Sequence, residues 1–399
     1  MKNDKWIQPT IDLKKIGTDP NKIVSVQNSG VLETDFYRYA NNFHEAADII
    51  LRELIGPDSE ANIAKLDTWY FALIYLYRQS LELMLKANIF KLIQDEQDRK
   101  DAIAEVRHDV GAAFDKIITL QGIDINSNQN IKWLSDFLHD ISKIDRESDM
   151  FRYPFGNNLS VLFNNQTHIN LVATYYNMTK CFDLLSEYYQ TQQFNNKQYH
   201  CYDPKLNVEG GNYYMQSVVG YKYHERSFYP YYTSYEECAS FLAELIQKEN
   251  KPHLFMPMCY LFRNGVELGL KRIIVEDSHL GSEKALRVLK RKKHSIQGLW
   301  NSISDELQQH VPNQNDPTLT YVEQYISSFH NTDITSDLFR YPCNKELKVY
   351  YQDETKLDID NVSSSFQELL NFLDGVSAMM AQVKEYEAEA AAEAASWSI

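Results

Sequence analysis

The sequence predicts a mainly α-helical protein that is made of two similar halves. Its 399 residues include only 14 Gly and 11 Pro, so few positions can interrupt a regular element. Long segments such as 69–93 carry apolar residues at helical spacing. A hexamer also occurs twice with a single change, DMFRYP at Asp149–Pro154 and DLFRYP at Asp337–Pro342. Together these observations favour a duplicated helical fold.

The two hexamers belong to a longer internal repeat. Upstream of them, LYRQSLELMLK matches LFRNGVELGLK, and HDVGAAF matches HSIQGLW. The offset between matched positions drifts from 185 to 188 residues, as small loop changes in a duplicated chain would produce. We therefore expect one copy at 1–192 with its core at 41–190, a second at 193–386 with its core at 233–386, and a separate tail at 387–399.

Each copy is predicted to begin with an extended arm and two helices. The Tyr-rich, irregular segments that precede the first helix predict extended arms or small strands. In the first helix, Phe43, Ala47 and Ile50 are spaced to lie on one face. The second helix, about 69–93, is apolar nearly all round, which is typical of a helix that is buried on every side.

Two more helices, an extended pair and a last helix are predicted to follow. Asp109 and Ser295 are suited to N-cap the third helix, and 131–144 has the apolar period of the fourth. The alternating LSVLF and LKVYY after the hexamers predict a short β-hairpin or extended pair. The last helix is expected at about 168–190 and 358–386. The Ala- and Glu-rich tail lacks an apolar face, so we expect a frayed or solvated end.

The charge of the chain limits the class of function. A net charge of −15 argues against a protein that binds nucleic acid over its whole surface, because phosphate binding needs a basic surface. It leaves room for a local basic cleft. One basic run, KRKKH at 290–294, is a candidate contact for an anion, and a solvated loop is the alternative interpretation.

The sequence has no mark of a secreted, membrane or cofactor-dependent protein. Its five scattered Cys form no CxxC pair, which is typical of reduced thiols that serve packing. The N-terminus has no apolar signal region, and no run of about 18 apolar residues occurs. Gly-rich phosphate loops and the HExxH and GxSxG motifs are absent. We therefore expect a cytoplasmic protein without a membrane segment, a cofactor or a bound metal.

Charged residues on the apolar second helix are the first candidates for a site. Arg78, Glu82 and Lys86 follow at intervals of four residues, so they share one helical face. They form either a structural ion ladder, worth roughly a few tenths of a kcal/mol per pair, or a buried polar cluster that faces a site. Their counterparts in the second copy are Arg263, Glu267 and Lys271.

His108 and His294 form a second candidate pair. When the two copies are aligned, they form the only one of the plausible His pairs in which both members occupy matching positions. Each precedes a helix N-cap, where a His usually packs against the start of the helix. The alternative is a general acid–base or ligand-contacting role, because imidazole titrates in the neutral range.

The hexamers supply the third set. Pro cannot continue a helix, so the hexamer is predicted to leave Arg152 and Arg340 on a last helical turn with the following Tyr extended. The Arg fork could bind phosphate or carboxylate, or it could tie the fourth helix to Glu82 inside the fold. The remaining binding candidates in the hexamers are Asp149, Tyr153, Asp337 and Tyr341.

The matched segments resemble the HEPN superfamily, which comprises small, mostly α-helical prokaryotic domains found in toxin–antitoxin and phage-defence systems. The resemblance lies in YRQSLELMLK with HDVGAAF and in FRNGVELGLK with KHSIQGLW. Because HEPN domains typically dimerise, it implies two tandem repeats packed as an intramolecular pseudo-dimer. Nuclease-type members carry an Arg followed four to six residues later by a His, and neither Arg152 nor Arg340 has that His. The nuclease motif is therefore degenerate or absent.

The resemblance implies a non-catalytic or divergent HEPN-type protein of a prokaryotic defence or toxin-related system. Its candidate partners are RNA, a nucleotide or a protein encoded nearby, and homo-oligomers are a further expectation. Two alternatives stay open. One is a metal-independent RNase with a site rebuilt from His108, His294, Arg152 and Arg340, and the other is a purely structural subunit.

Overall fold

The computed structural model is mainly α-helical, as the sequence predicts. Its described part contains fourteen α-helices and four short strands. In that part, no helix is both long and apolar enough to cross a membrane. The residues that the structure describes are 5–57, 62–155, 163, 165–221, 227–311, 313 and 315–397.

The helices follow a similar order in the two halves of the chain. The first half contains α1 (Leu32–Ile55), α2 (Ile63–Thr68), α3 (Tyr70–Leu92), α4 (Glu96–Val106), α5 (Val110–Gln121), α6 (Gln129–Ile144) and α7 (Leu171–Thr191). The second half contains α8 (Tyr229–Glu249), α9 (Phe255–Arg272), α10 (Ser282–Lys292), α11 (Ile296–Trp300), α12 (Ser304–Gln309), α13 (Thr318–Thr332) and α14 (Ile359–Ser396). A π-helical turn at Ile273–Asp277 extends α9.

The core is built around α3 and α9. Every residue of α3 from Tyr70 to Phe90 is buried, and so is every residue of α9 from Phe255 to Lys271. The first helix α1 packs along α3, α8 packs along α9, and α3 also contacts α8. The rings of Tyr75 on α3 and Tyr260 on α9 stack with centroids 4.8 Å apart. The prediction of an apolar helix buried on every side is confirmed.

The predicted caps of the third helix are also confirmed. The Asp109 side chain accepts a hydrogen bond from the backbone N–H of Ala112 at the start of α5. Ser295 accepts from Gly298 at the start of α11. The sequence analysis did not predict α4 and α10, which precede these caps and are short and polar.

The strands pair differently from the predicted hairpins. Strand β1 (Ile23–Val26) is antiparallel to β4 (Thr355–Asp358), and β2 (Thr167–Asn170) is antiparallel to β3 (Gln216–Val219). Each strand before a half's first long helix thus pairs with the strand that follows the hexamer of the other half. LKVYY contributes only an isolated bridge from Val349 to Cys343, and LSVLF, except for its Phe, lies outside the described residues. In the second half, LKVYY therefore forms no regular strand of a hairpin, and the regular extended pairs of the described residues join the arms to the strands that follow the hexamers.

The hexamers lie in turns of their own and not on a last helical turn. Helix α6 already ends at Ile144, and the Asp145 carboxylate accepts from the backbone N–H of Asp149 and of Met150, at 2.8 and 3.0 Å. These bonds fold the chain into a separate turn before Arg152. Asp333 makes the equivalent bonds after α13. The prediction failed because a carboxylate at the helix end captures the next backbone donors.

The C-terminal tail continues α14 to Ser396 and is not frayed. Its described residues, 387–397, are exposed, as expected for a segment without an apolar face. The high helix propensity of Ala and Glu accounts for the extra turns.

Candidate functional site

Glu82 lies at the centre of a buried polar cluster on α3. Its carboxylate accepts hydrogen bonds from Arg78, from Lys86 Nζ at 2.7 Å and from the Tyr341 hydroxyl at 2.6 Å. The Nδ1 atom of His108 lies 3.1 Å from the same carboxylate. We call these five residues the first carboxylate cluster. Its donors surround an acid that is almost completely buried.

The second half contains a matching cluster on α9. Glu267 accepts from Arg263, from Lys271 Nζ at 2.7 Å and from the Tyr153 hydroxyl at 2.6 Å. His294 Nδ1 lies 3.0 Å from it. We call these five residues the second carboxylate cluster. The intervals of four in both ladders therefore mark buried clusters and not solvated ion pairs.

Each cluster is completed by the other half of the chain. Tyr341 follows the second hexamer Arg but donates to Glu82 in the first half, and Tyr153 from the first hexamer donates to Glu267 in the second half. The Lys86 ammonium also lies over the Tyr341 ring, 4.8 Å from its centroid. The two halves thus exchange one Tyr each.

Arg78 connects the first cluster to the elements around it. One of its guanidinium nitrogens donates to the backbone carbonyl of His108, and its Nε lies 3.4 Å from the Asp145 carboxylate at the end of α6. Arg263 makes the matching contacts with the His294 carbonyl and with Asp333. The tie between the fourth helix and the second helix is therefore made by Arg78, and the hypothesis that Arg152 binds Glu82 is wrong.

The two hexamer arginines lie together in an aromatic layer. Both are buried, at 3% and 4% exposure for Arg152 and Arg340. Their guanidinium centres lie 5.9 and 5.8 Å from the centroid of the Tyr75 ring, and Arg340 lies 5.6 Å from that of Tyr260. Cations at this distance are attracted to the faces of aromatic rings.

These arginines keep unused hydrogen-bonding capacity. Arg340 donates to the Gln79 amide oxygen at 3.4 Å and to the Tyr341 hydroxyl at 3.1 Å, which are both neutral. Arg152 donates to the Asn264 amide oxygen at 3.4 Å and lies 3.9 Å from Asp149. Among the residues that the structure describes, neither Nε atom has a hydrogen-bond partner. Buried Arg donors of this kind are suited to an anionic ligand.

A cavity of about 950 Å³ lies between the two halves and is lined by both of them. We call it the cleft. The described residues around it include nine Lys or Arg against three carboxylates, in a chain with a net charge of −15. The carboxylates are Glu147, Asp149 and Asp337. The cations are Lys86, Lys100, Arg107, Arg152, Lys271, Lys290, Lys293, Arg340 and Lys345. The acidic chain therefore does contain a local basic cleft.

Both candidate histidines line the cleft, and strained backbone presents them. The side chains of His108 and His294 are 32% and 38% exposed. The preceding residues, Arg107 and Lys293, have φ of 49° and 51° with ψ of −107° in both cases. Non-Gly residues rarely adopt this conformation, and such strain is concentrated at functional sites.

The electrostatics of the clusters determine which groups are charged. Burial alone would raise the pKa of Glu82, but the surrounding cations hold that pKa well below its usual range. Glu82 favours the protonated imidazole of His108, yet burial and the nearby cations prevail and the pKa of His108 is lowered. Glu267 and His294 shift in the same directions. At neutral pH an ionised carboxylate therefore faces a neutral imidazole.

This pairing fixes the tautomer of each His. A carboxylate only accepts hydrogen bonds, so a neutral imidazole beside it must donate from Nδ1. The Nε2 atom then carries a lone pair, which can accept a proton or a hydrogen bond from a ligand. The arrangement is suited to a general base or to recognition of a hydroxyl group.

The structure brings most of the predicted residues together. The residues from the prediction that line the cleft are His108, His294, Arg152, Arg340, Lys86, Lys271, Asp149, Asp337, Tyr153 and Tyr341. Arg78, Glu82, Arg263 and Glu267 lie buried behind them. Lys290 and Lys293 of the KRKKH run also line the cleft, so this run is not only a solvated loop.

The sequence analysis missed the layer that holds the two arginines. Tyr75 and Gln79 on α3 occupy positions that match Tyr260 and Asn264 on α9 at the same offset as the ladders, 185 residues. The sequence did contain a signal for this layer, because Gln79 and Asn264 are polar residues at matched positions of two apolar helices. It points to a partner inside the protein, because such helices expose no face to solvent.

We compared the chain with models of protein families, with curated proteins and with solved structures. None of the three comparisons found a match. What the cleft can do is therefore inferred from its own contacts and charges.

Proposed function

We propose that the chain binds a phosphate-bearing ligand, RNA or a nucleotide, in the cleft between its two halves. The observation that carries this proposal is the concentration of nine Lys or Arg around one cavity of an acidic protein. Phosphate groups are bound through Lys charges and Arg forks. The buried Arg152 and Arg340, with donors to spare, would lie at the floor of the site.

The halves are proposed to be two HEPN-like repeats, 1–192 and 193–386, that form a pseudo-dimer. The reciprocal contacts support this. Tyr153 with Glu267 and Tyr341 with Glu82 obey the rule of a twofold interface, in which residue i contacts j and j contacts i. The two exchanged strand pairs obey the same rule. The resemblance of the ladder segments to HEPN domains supports a place in a prokaryotic defence or toxin-related system.

The size of the cleft is sufficient for a nucleotide or a short stretch of RNA. Its volume of about 950 Å³ lies near the upper end of small-molecule sites, which span roughly 300–1,000 Å³. The four phenylalanines of its wall are buried and pack in two pairs, Phe36 with Phe90 and Phe155 with Phe228. The contacts with the ligand are therefore assigned to the charged residues.

Binding of fluorescently labelled single-stranded RNA and of nucleotides to the purified chain tests the proposal. Replacing Arg152 and Arg340 together by Ala should weaken binding at least tenfold, because each removes a charge-assisted donor. The Arg152→Lys, Arg340→Lys variant keeps both positive charges but loses the forked guanidinium donors, so it should bind with intermediate affinity. Circular dichroism verifies that each variant is folded.

A matched control removes two positive charges away from the cleft. Arg52 and Lys248 are exposed residues of α1 and α8 that form surface ion pairs. Their double Ala variant should bind like the unmodified chain. Equal affinity of the Arg152, Arg340 variant and this control would refute a site in the cleft, and no binding by any protein would favour a structural subunit.

A second candidate function, metal-independent RNA cleavage, is favoured by the two neutral imidazoles in one cleft. One His Nε2 could take the proton of a ribose 2′-hydroxyl as it attacks the adjacent phosphorus. The other His, once protonated, could return a proton to the leaving 5′-oxygen while Arg152 and Arg340 stabilise the charged phosphate. The missing His of the nuclease motif argues against it, so we expect little cleavage in the presence of EDTA. Robust cleavage that disappears in a His108→Ala, His294→Ala variant would favour the RNase.

A further inference from the structure

We propose that His279, Glu306 and His310 form a binding site for a zinc-class divalent metal ion. Each residue offers one ligand atom, and these atoms all lie within 4.8 Å of one another. None of the three lines the cleft. The site would thus be independent of the function proposed above.

The ligands come from two neighbouring segments. His279 lies just after the π-helical turn Ile273–Asp277, and its Nδ1 is 2.8 Å from a Glu306 carboxylate oxygen. The backbone N–H of His279 donates to the same oxygen at 2.8 Å and fixes the carboxylate in place. Glu306 lies in the first turn of α12 and His310 directly follows the helix, so the two residues are four apart and face the same side.

His310 completes the set. Its ring lies nearly parallel to that of His279, with centroids 6.1 Å apart. In the described part of the chain, neither nitrogen of this ring has a hydrogen-bond partner, so a nitrogen is available as a ligand. The small separation of the ligand atoms means that modest side-chain rotations bring all three to one ion.

A second carboxylate supports the outer side of the site. The Nε2 atom of His279 lies 2.8 Å from the carboxylate of Glu387 on α14. A His that binds metal through one nitrogen usually donates its other N–H to a carboxylate or carbonyl, which orients the ring. Glu387 would have this role, and the ion would join the π-helical turn, α12 and the long C-terminal helix.

The donor set defines the class of ion. Two imidazoles and one carboxylate favour zinc and similar transition metals over Mg²⁺ or Ca²⁺, which prefer oxygen ligands. Three protein ligands leave one tetrahedral position for water. His279 and Glu306 are 39% and 18% exposed, so an ion can reach them from solvent.

Calorimetric titration of the full chain with ZnCl₂, after removal of metal with EDTA, tests the site. We expect one equivalent to bind, and MgCl₂ to give no binding at the same concentration. Glu306→Gln and His310→Ala should each weaken zinc binding at least tenfold, and Glu387→Gln by roughly tenfold as an outer carboxylate. His253→Ala is the matched control, since His253 forms a surface pair with Glu45 at 3.1 Å.

A second measurement separates loss of the site from loss of the fold. Bound Co²⁺ shows tetrahedral absorption bands that report its ligands, and these bands should vanish in His310→Ala while circular dichroism stays unchanged. Absence of stoichiometric zinc binding by the unmodified chain would refute the site. Zinc affinity in Glu306→Gln and His310→Ala equal to that of the unmodified chain would also refute it.

Discussion

At the scale of single residues, Glu82 and Glu267 explain how ionised groups are kept inside this protein. Each carboxylate is surrounded by an Arg, a Lys, a Tyr and a His. An ionised carboxylate without such partners is strongly disfavoured in an apolar interior. Because the Arg and the Lys of each cluster are also buried, removing the acid takes away the acceptor that both of them share.

Glu82→Ala and Glu267→Ala should each strongly destabilise the protein. Either change leaves a buried Arg and a buried Lys without their shared acceptor, which should cost about 3–5 kcal/mol. Urea unfolding measures the loss. Glu96→Ala is the control, because Glu96 pairs with Lys100 on the surface and should contribute less than about 1 kcal/mol. Equal stabilities of the two core variants and the control would mean that the clusters contribute little.

Stability should fall as the pH falls below about 6.5. The pKa values of His108 and His294 are lowered in the folded protein, so these two His bind protons more readily in the unfolded chain. Acidification therefore stabilises the unfolded state relative to the folded one. The lowered pKa values of Glu82 and Glu267 add a further loss below about 4.5, for the same reason. Thermal melts between pH 8 and pH 5 measure this fall, to which the buried His44, with its pKa lowered to about 3 by burial, also contributes. A His108→Gln, His294→Gln variant should lose less stability over this range, and an unchanged slope would contradict the assignment.

At the scale of elements, the sequence predictions are accurate where a structure depends on residues close together in the chain, and they fail where it depends on residues far apart. Helices α3 and α9 were predictable because an apolar helix is determined by its own residues and their spacing. Strand pairing was not, because β1 and β4 are more than 300 residues apart and either could pair elsewhere. The turns of the hexamers depend on single hydrogen bonds from Asp145 and Asp333, which periodicity does not reveal.

Substitution by Gly should have opposite effects on stability at two nearby positions, one in the turn before His294 and one inside α10. Lys293 has a φ of 51°, which Gly adopts without strain, so Lys293→Gly should raise stability by about 1 kcal/mol. Arg287 lies inside α10, so Arg287→Gly should lower stability by about 1 kcal/mol. Urea unfolding compares them. Destabilisation of both variants to the same degree would show that the backbone at Lys293 is not strained.

At the scale of the whole molecule, the internal repeat identifies the residues of both carboxylate clusters but not their arrangement. These residues were recognised because they occupy matched positions in the two copies. Because Glu82 and Glu267 are equivalent in the repeat, the sequence cannot distinguish whether Tyr153 contacts one or the other. The structure resolves this in favour of the opposite half. The three residues proposed as a metal site escaped prediction because 26 residues separate His279 from Glu306.

The salt dependence of RNA binding tests most directly whether Arg152 and Arg340 bind phosphate. Each phosphate contact to a single strand adds about 0.7 to the slope of log affinity against log salt concentration. We therefore predict that the Arg152→Ala, Arg340→Ala variant has a slope smaller by roughly 1.4 than the unmodified chain. The variant lacking the exposed Arg52 and Lys248 should keep the original slope. An unchanged slope and affinity after loss of both hexamer arginines would contradict a phosphate site at the centre of the cleft.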